Sequence, residues 1–132
     1  MKPKIEIVEQ YFALVSAFSN DRAAYDALLH PQMTETEYPN LLSPRLRQRS
    51  VDDGMKGIAL GGQLLKFQRY DIRHWVEGPE SLAVEVTWTG ELRTDAGRLK
   101  KDQALKAEVC FVFEFREGKI HRLRHYDCYD PF

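Results

Sequence analysis

Near the C-terminus the run His121-Arg122-Leu123-Arg124-His125-Tyr126-Asp127-Cys128 places two imidazoles and a carboxylate close together in sequence. On an extended strand, residues i and i+2 share a face about 7 Å apart, so His125 and Asp127 can form a carboxylate–imidazole hydrogen bond. A carboxylate partner raises the imidazole pKa and fixes its tautomer, while burial in an apolar pocket pushes a carboxyl upward. Both groups then approach the neutral range that general acid–base work on a carbonyl or enol requires. Strand parity leaves two arrangements: either His121, Leu123, His125 and Asp127 face a pocket, or Ile120, Arg122, Arg124, Tyr126 and Cys128 do. His121 and His125 are about 13 Å apart along such a strand, which speaks against one metal ion shared by both. The competing reading of the same residues is structural, a satisfied polar network or an interface.

The elements that must carry this run follow from periodicity. Ile5, Val8, Phe12, Val15 and Phe18 recur at spacings of three and four, which predicts an amphipathic helix over Ile5–Phe18. Asn20 and Asp21 end it and cap a short helix over Ala23–Leu29, stopped at His30-Pro31 because the residue before proline leaves the α region. Thr34–Tyr38 reads as a strand, and residues 39–49, with two prolines and Arg45, Arg47 and Arg49, as a solvated loop. Ser50 caps a third helix running to about Leu65, with Asp52 and Asp53 in its first turn. Gly54, Gly57, Gly61 and Gly62 thread through that helix and read as permitting close approach to a neighbour. No strand–glycine-loop–helix order suited to a nucleotide is present, and no cofactor is expected. After Phe67 the period becomes two: residues 67–77, 81–93, 104–116 and 119–128 read as four long strands, each with one face for a core.

Length and balance fit one domain over residues 1–132, with 43% apolar and 30% charged residues. Nineteen Lys and Arg against twenty Asp and Glu leave a formal charge of −1, which argues against a surface built for nucleic acid or anionic lipid. Glu6, Glu9 and Gln10 interrupt the N-terminal apolar stretch, so no signal peptide is expected, and no run of 18 apolar residues is available to span a bilayer. A cytoplasmic protein follows from those features. Cys110 and Cys128 lack Cys-x-x-Cys spacing and read as reduced packing thiols.

Val8-Glu9-Gln10-Tyr11-Phe12-Ala13-Leu14, the helix end at Leu28-Leu29, the Thr34–Pro39 segment and the ending Phe113-Glu114-Phe115-Arg116-Glu117-Gly118-Lys119-Ile120 resemble the nuclear transport factor 2-like fold, closest in its SnoaL-like and ketosteroid-isomerase branches. The resemblance implies an α+β cone, a curved, mixed but mostly antiparallel sheet wrapped on N-terminal helices in the manner of a cystatin-like α+β barrel. It also implies a pocket whose chemistry the fold does not choose. Of the isomerase's catalytic positions, the helix-one tyrosine matches Tyr11. The base position falls on Tyr38, with Glu37 one residue earlier, and the oxyanion-hole Asp position falls on Phe111, so a steroid isomerase of that mechanism is rejected. The SnoaL-like branch places an acid–base aspartate near the end of the last strand, within a residue of Asp127, and the isomerase alignment favours the arrangement in which His121, Leu123, His125 and Asp127 face inward.

The resulting expectation is a pocket for a small apolar or aromatic ligand. Asp127, His125 and Tyr11 would be its acid–base and oxyanion groups, Tyr38 would close its mouth, and Trp75, Trp88, Phe111, Phe113, Leu123 and His121 would line it. The activity implied is that of a cofactor-free isomerase, cyclase or hydrolyase; the alternative is a non-catalytic ligand-binding or protein-association domain. The resemblance further implies a homodimer through the outer sheet face, where Cys110 and Val112 fall.

Overall fold

The computed structural model describes residues 2–132 as three helices and six strands. Helix α1 spans Lys4–Ser16 and buries Ile7, Val8, Tyr11, Phe12 and Val15 on one face; of the expected stripe Val8, Phe12 and Val15 are buried, Ile5 is half-buried and Phe18 lies beyond the helix. Helix α2 is only Arg22–Asp26, capped by Asp21, whose carboxylate accepts from the Ala24 amide at 3.2 Å. It ends earlier than the sequence suggested because Leu29 already belongs to strand β1, Leu29–Glu37, which runs through Pro31. The segment read as solvated loop contains a second strand, β2, Arg47–Arg49. Its register, Glu35↔Arg49 and Glu37↔Arg47, sets basic residues opposite acidic ones, a cross-strand pairing that fixes so short a strand. Ser50 then caps α3, Val51–Leu64, accepting from the Asp53 amide at 3.2 Å.

Strand β3, Leu65–Glu77, leaves α3 without a loop, and β4 (Ser81–Leu92), β5 (Ala104–Arg116) and β6 (Lys119–Tyr129) follow as antiparallel neighbours. The sheet order is β2-β1-β6-β5-β4-β3, with β1 parallel to β6. It curves around the helices and stays open, with β2 and β3 as its edges. On the concave face Leu82, Val84, Phe113, Ile120 and Leu123 are enclosed in one core with the apolar face of α1, whose Phe12 meets Phe113 edge-on at 5.9 Å. The convex face is polar, as where the Thr87 hydroxyl accepts from Arg73 at 3.0 Å and donates to Glu108 at 2.9 Å.

Of the four α3 glycines, only Gly62 sits where an added Cβ would press a neighbour, 3.2 Å from Phe18. At Gly54, Gly57 and Gly61 a Cβ would meet nothing closer than 3.6 Å. Close approach therefore explains one glycine and not the others, although each costs a helix interior roughly 1 kcal/mol relative to alanine. No helix among the described residues is long and apolar enough to cross a membrane.

Candidate active site

Between α1, α3 and the concave sheet face lies a cavity of about 300 Å³. Strand alternation brings β6 to it in the first of the two arrangements: Leu123 and His125 are buried, whereas Arg122, Tyr126 and Cys128 are exposed on the other side. On β5 the partners of His125 and Asp127 are Phe111 and Val109, and all four line the cavity.

His125 is held at both ring nitrogens. Nδ1 lies 2.6 Å from Asp127 Oδ1, and Nε2 lies 3.1 Å from Glu35 Oε2 on β1. Glu35 and Glu37 alternate onto the inner face, and Arg49 of β2 reaches over them, donating to Glu37 Oε1 at 2.8 Å with its other terminal nitrogen 3.9 Å from Glu35. Asn40 donates to the second Glu37 oxygen at 2.9 Å. A chain of alternating charge thus runs Asp127–His125–Glu35–Arg49–Glu37, with side-chain exposure from 9% at Asp127 to 21% at Arg49.

Burial opposes a charged imidazole, but hydrogen bonds to Asp127 and Glu35, together with their charges, push the His125 pKa up to about 10. The ring is an imidazolium donating from both nitrogens, so neither nitrogen is left for a ligand proton. Burial likewise raises Glu37, but the hydrogen bonds from Asn40 and Arg49 and the charge of His125 outweigh it and hold the carboxyl below its usual range. Burial also works against the charge on Arg49, and the hydrogen bond to Glu37 with the charges of Glu35 and Glu37 raises its pKa nonetheless.

The walls are aromatic. Phe12 stacks on Tyr70 with centroids 4.8 Å apart, and Phe111 meets Phe12 edge-on at 5.0 Å and lies 5.4 Å from the His125 ring. Trp88 donates Nε1–H to Gln68 Oε1 at 3.0 Å; Gly90 makes room for its indole, since a Cβ there would stand 2.9 Å from it. Tyr11 lines the cavity from α1, and burial, then the charge of Glu35, raises its pKa well above the ordinary value, so it is a neutral hydroxyl donor. Burial and the charge of Asp127 raise Tyr129 in the same direction.

Among the residues singled out from sequence, Tyr11, Trp88, Phe111, His125 and Asp127 meet at this cavity. Phe113 and Leu123 share its strand faces but are enclosed in the core, at 0% and 1% exposure. Three expectations are corrected. Tyr38 does not close the mouth: following inward-facing Glu37 by one residue, it falls on the opposite face and stacks on Tyr126, with rings 4.6 Å apart. Trp75 is 45% exposed on edge strand β3, beyond the register shift at Ile72–His74. His121 lies away from the cavity, edge-on to His30 at 5.0 Å. The sequence reading missed Glu35, Glu37, Arg49, Gln68, Tyr70 and Tyr129. Glu35 and Glu37 carried a usable signal, two carboxylates at strand spacing i and i+2. Arg49 carried none until β2 was known.

The chain belongs to the SnoaL-like domain family, whose model matches residues 8–123. Solved structures share the fold. IdmH of Streptomyces antibioticus, a proposed polyketide cyclase, superposes with a TM-score of 0.73 at 12% identity over 93% of this chain and 90% of that one. An LEH-like epoxide hydrolase of M. tuberculosis gives 0.67 at 18% identity, over 93% and 80%. An NTF2-like protein of Anabaena variabilis gives 0.70 at 15% identity, over 96% and 87%. No curated protein matches the chain.

Proposed function

We propose that this protein is a cofactor-free acid–base enzyme, an isomerase, cyclase or hydrolyase acting on a small apolar carbonyl or enol compound. The observation that carries this reading is His125 held between Asp127 and Glu35 in an aromatic-walled cavity that Tyr11 also enters. Because both imidazole nitrogens are occupied, His125 is a positioning residue and the proton-transferring group is a carboxylate. Asp127 accepts from His125 at Oδ1 and lines the cavity. In this reading Asp127 takes a proton from carbon next to the substrate carbonyl. Tyr11 donates to the enolate oxygen, and the His125 charge, fixed before the reaction, stabilises the anion that forms. Return of the proton to another carbon completes an isomerisation; loss of a β-hydroxyl as water completes an elimination. The kinds of enzyme named among the fold's relatives support pocket chemistry without choosing the reaction.

The test is deuterium uptake at the α-carbon of a panel of cyclic and aryl ketones in D2O, followed by proton NMR. We expect exchange catalysed by the wild type and reduced about 100-fold or more by Asp127→Asn, with stability changed by no more than about 1 kcal/mol. Parallel loss of Tm and exchange would make Asp127 structural and overturn its catalytic role, and ketone binding without any exchange by the wild type would identify a ligand-binding domain instead. The outer sheet face, with Cys110 and Val112 half-buried, is proposed as a homodimer surface, and light scattering of the purified chain checks it.

A further inference from the structure

Helix α3 lines the cavity with Gly54, Gly57, Ile58 and Gly61. These positions stand at i, i+3, i+4 and i+7, the stripe where an amphipathic helix carries the large apolar residues that fill a core. Three of the four are glycine, and their reason is not packing: an added Cβ would lie 3.7 Å from Glu35 Oε1 at Gly54, 4.0 Å from Arg49 Nε at Gly57 and 3.6 Å from Phe18 at Gly61, ordinary contact distances. None has the positive φ that would demand glycine; among the described glycines only Gly97 and Gly118 do. The helix therefore accepts weak helix formers on the one face that borders the cavity, and Val51 is its single buried residue.

A second observation points to a ligand in the same space. Tyr11 is 8% exposed, and its hydroxyl makes no hydrogen bond among the described residues. Since no fully enclosed polar side-chain atom lacks a partner, that hydroxyl opens to the cavity Tyr11 lines, near the charge of Glu35.

We propose that Gly54, Gly57 and Gly61 are specificity-determining residues: the bare backbone face of α3 sets how large a ligand fits between the helix and the His125–Asp127 end of the sheet. The proposal rests on reading the cavity as the substrate site. Larger side chains at these positions narrow the cavity toward small ligands, and His125 and Asp127 on β6 are not among the atoms nearest an added Cβ at any of the three. Gly57 is the most exposed of the three, an added Cβ there would meet nothing nearer than 4.0 Å, and it is the position to alter.

The experiment uses phenol and 2-naphthol, stable enols of two sizes, titrated by calorimetry against the wild type, Gly57→Ala, Gly57→Leu and Asp127→Asn, with Tm measured for each. We expect both probes to bind the wild type and Gly57→Ala to raise Tm by about 2–5 °C. Gly57→Leu should weaken 2-naphthol tenfold or more while changing phenol less than twofold. A fall in Tm for Gly57→Ala shows a packing glycine and overturns the proposal, as does unchanged 2-naphthol affinity in Gly57→Leu. The two readings fail separately. If Asp127→Asn weakens both probes and Gly57→Leu weakens neither, the acid–base site stands without its glycine wall; if only Gly57→Leu acts, the wall stands and the role of Asp127 falls. Wild type that binds neither probe overturns both.

Discussion

Strands β5 and β6 cross the concave face twice over, once as core and once as site. At the closed end Phe113 and Leu123 stand opposite each other and are sealed beneath α1; one step along the same face Phe111 stands opposite His125, and one step further Val109 opposite Asp127. Backbone, register and face are shared, so the chemistry changes through what lies across and beside the strands. At the closed end that neighbour is the apolar stripe of α1. At the open end it is Glu35, Glu37 and Arg49 on one side and the glycine face of α3 on the other. A buried ionic chain is a poor way to gain stability, because desolvation offsets most of the Coulomb attraction and apolar residues of equal volume do as well or better. Finding it where the same strands could have continued an apolar core argues for use in chemistry.

That contrast can be broken at several points. Phe113→Ala at the closed end should cost about 3–5 kcal/mol in urea unfolding; a cost below about 1 kcal/mol would mean the closed end is not the stabilising half. The open end should instead be sensitive to pH. The folded pKa of His125, about 10, lies above its unfolded value, so its contribution is fully present below about pH 6.5 and is lost as pH rises through about 10. Wild type should therefore lose stability on the order of 2 kcal/mol between pH 7 and 10 relative to His125→Gln, and parallel pH curves for the two proteins would contradict the paired imidazolium. Arg49→Met leaves Glu37 without its cation, while Glu35 keeps His125, and should cost about 2 kcal/mol, with much of the loss recovered in Arg49→Met/Glu37→Gln. Tyr11→Phe should slow ketone exchange about tenfold with Tm nearly unchanged; an equal effect on both would make Tyr11 a packing residue. Tyr38→Ala, outside the cavity, should leave exchange as in wild type and alter stability by about 0.5 kcal/mol or less.

The closed end was far more legible in the sequence than the open one. α1 and strands β4 to β6 announce themselves because a half-buried element must alternate apolar residues at its own period, and Phe111, Phe113, Phe115 or Val8, Phe12, Val15 do so plainly. The same parity put His125 and Asp127 on one face, while the choice of that face over the Arg124–Tyr126 face came from the family resemblance. Glu35 and Glu37 were less legible: their i, i+2 spacing was on view, but ionisable residues alternating along a strand read as its solvent face unless the partner cations are known. Their cation, Arg49, sits on a three-residue strand whose existence depends on β1, which no local pattern reveals. Trp75 and Tyr38 erred in the opposite sense: aromatic character suggested a pocket, while edge position and face parity put both outside it.

The parallel seam between β1 and β6 also bears on how the protein comes into being. Glu35 and His125 are 90 residues apart in the chain, and β6 is inserted between β1 and β5, so the ion chain and the central seam of the sheet close in one event. During synthesis the helices, β1 and β2 emerge early with Glu35, Glu37 and Arg49 still lacking His125, and they wait for the last strand. Pairings of such long sequence separation form late and slowly. A nascent chain shorter than about residue 127 therefore has the walls of the cavity without His125 and Asp127 together, and the ion chain is completed only when the C-terminal strand threads home.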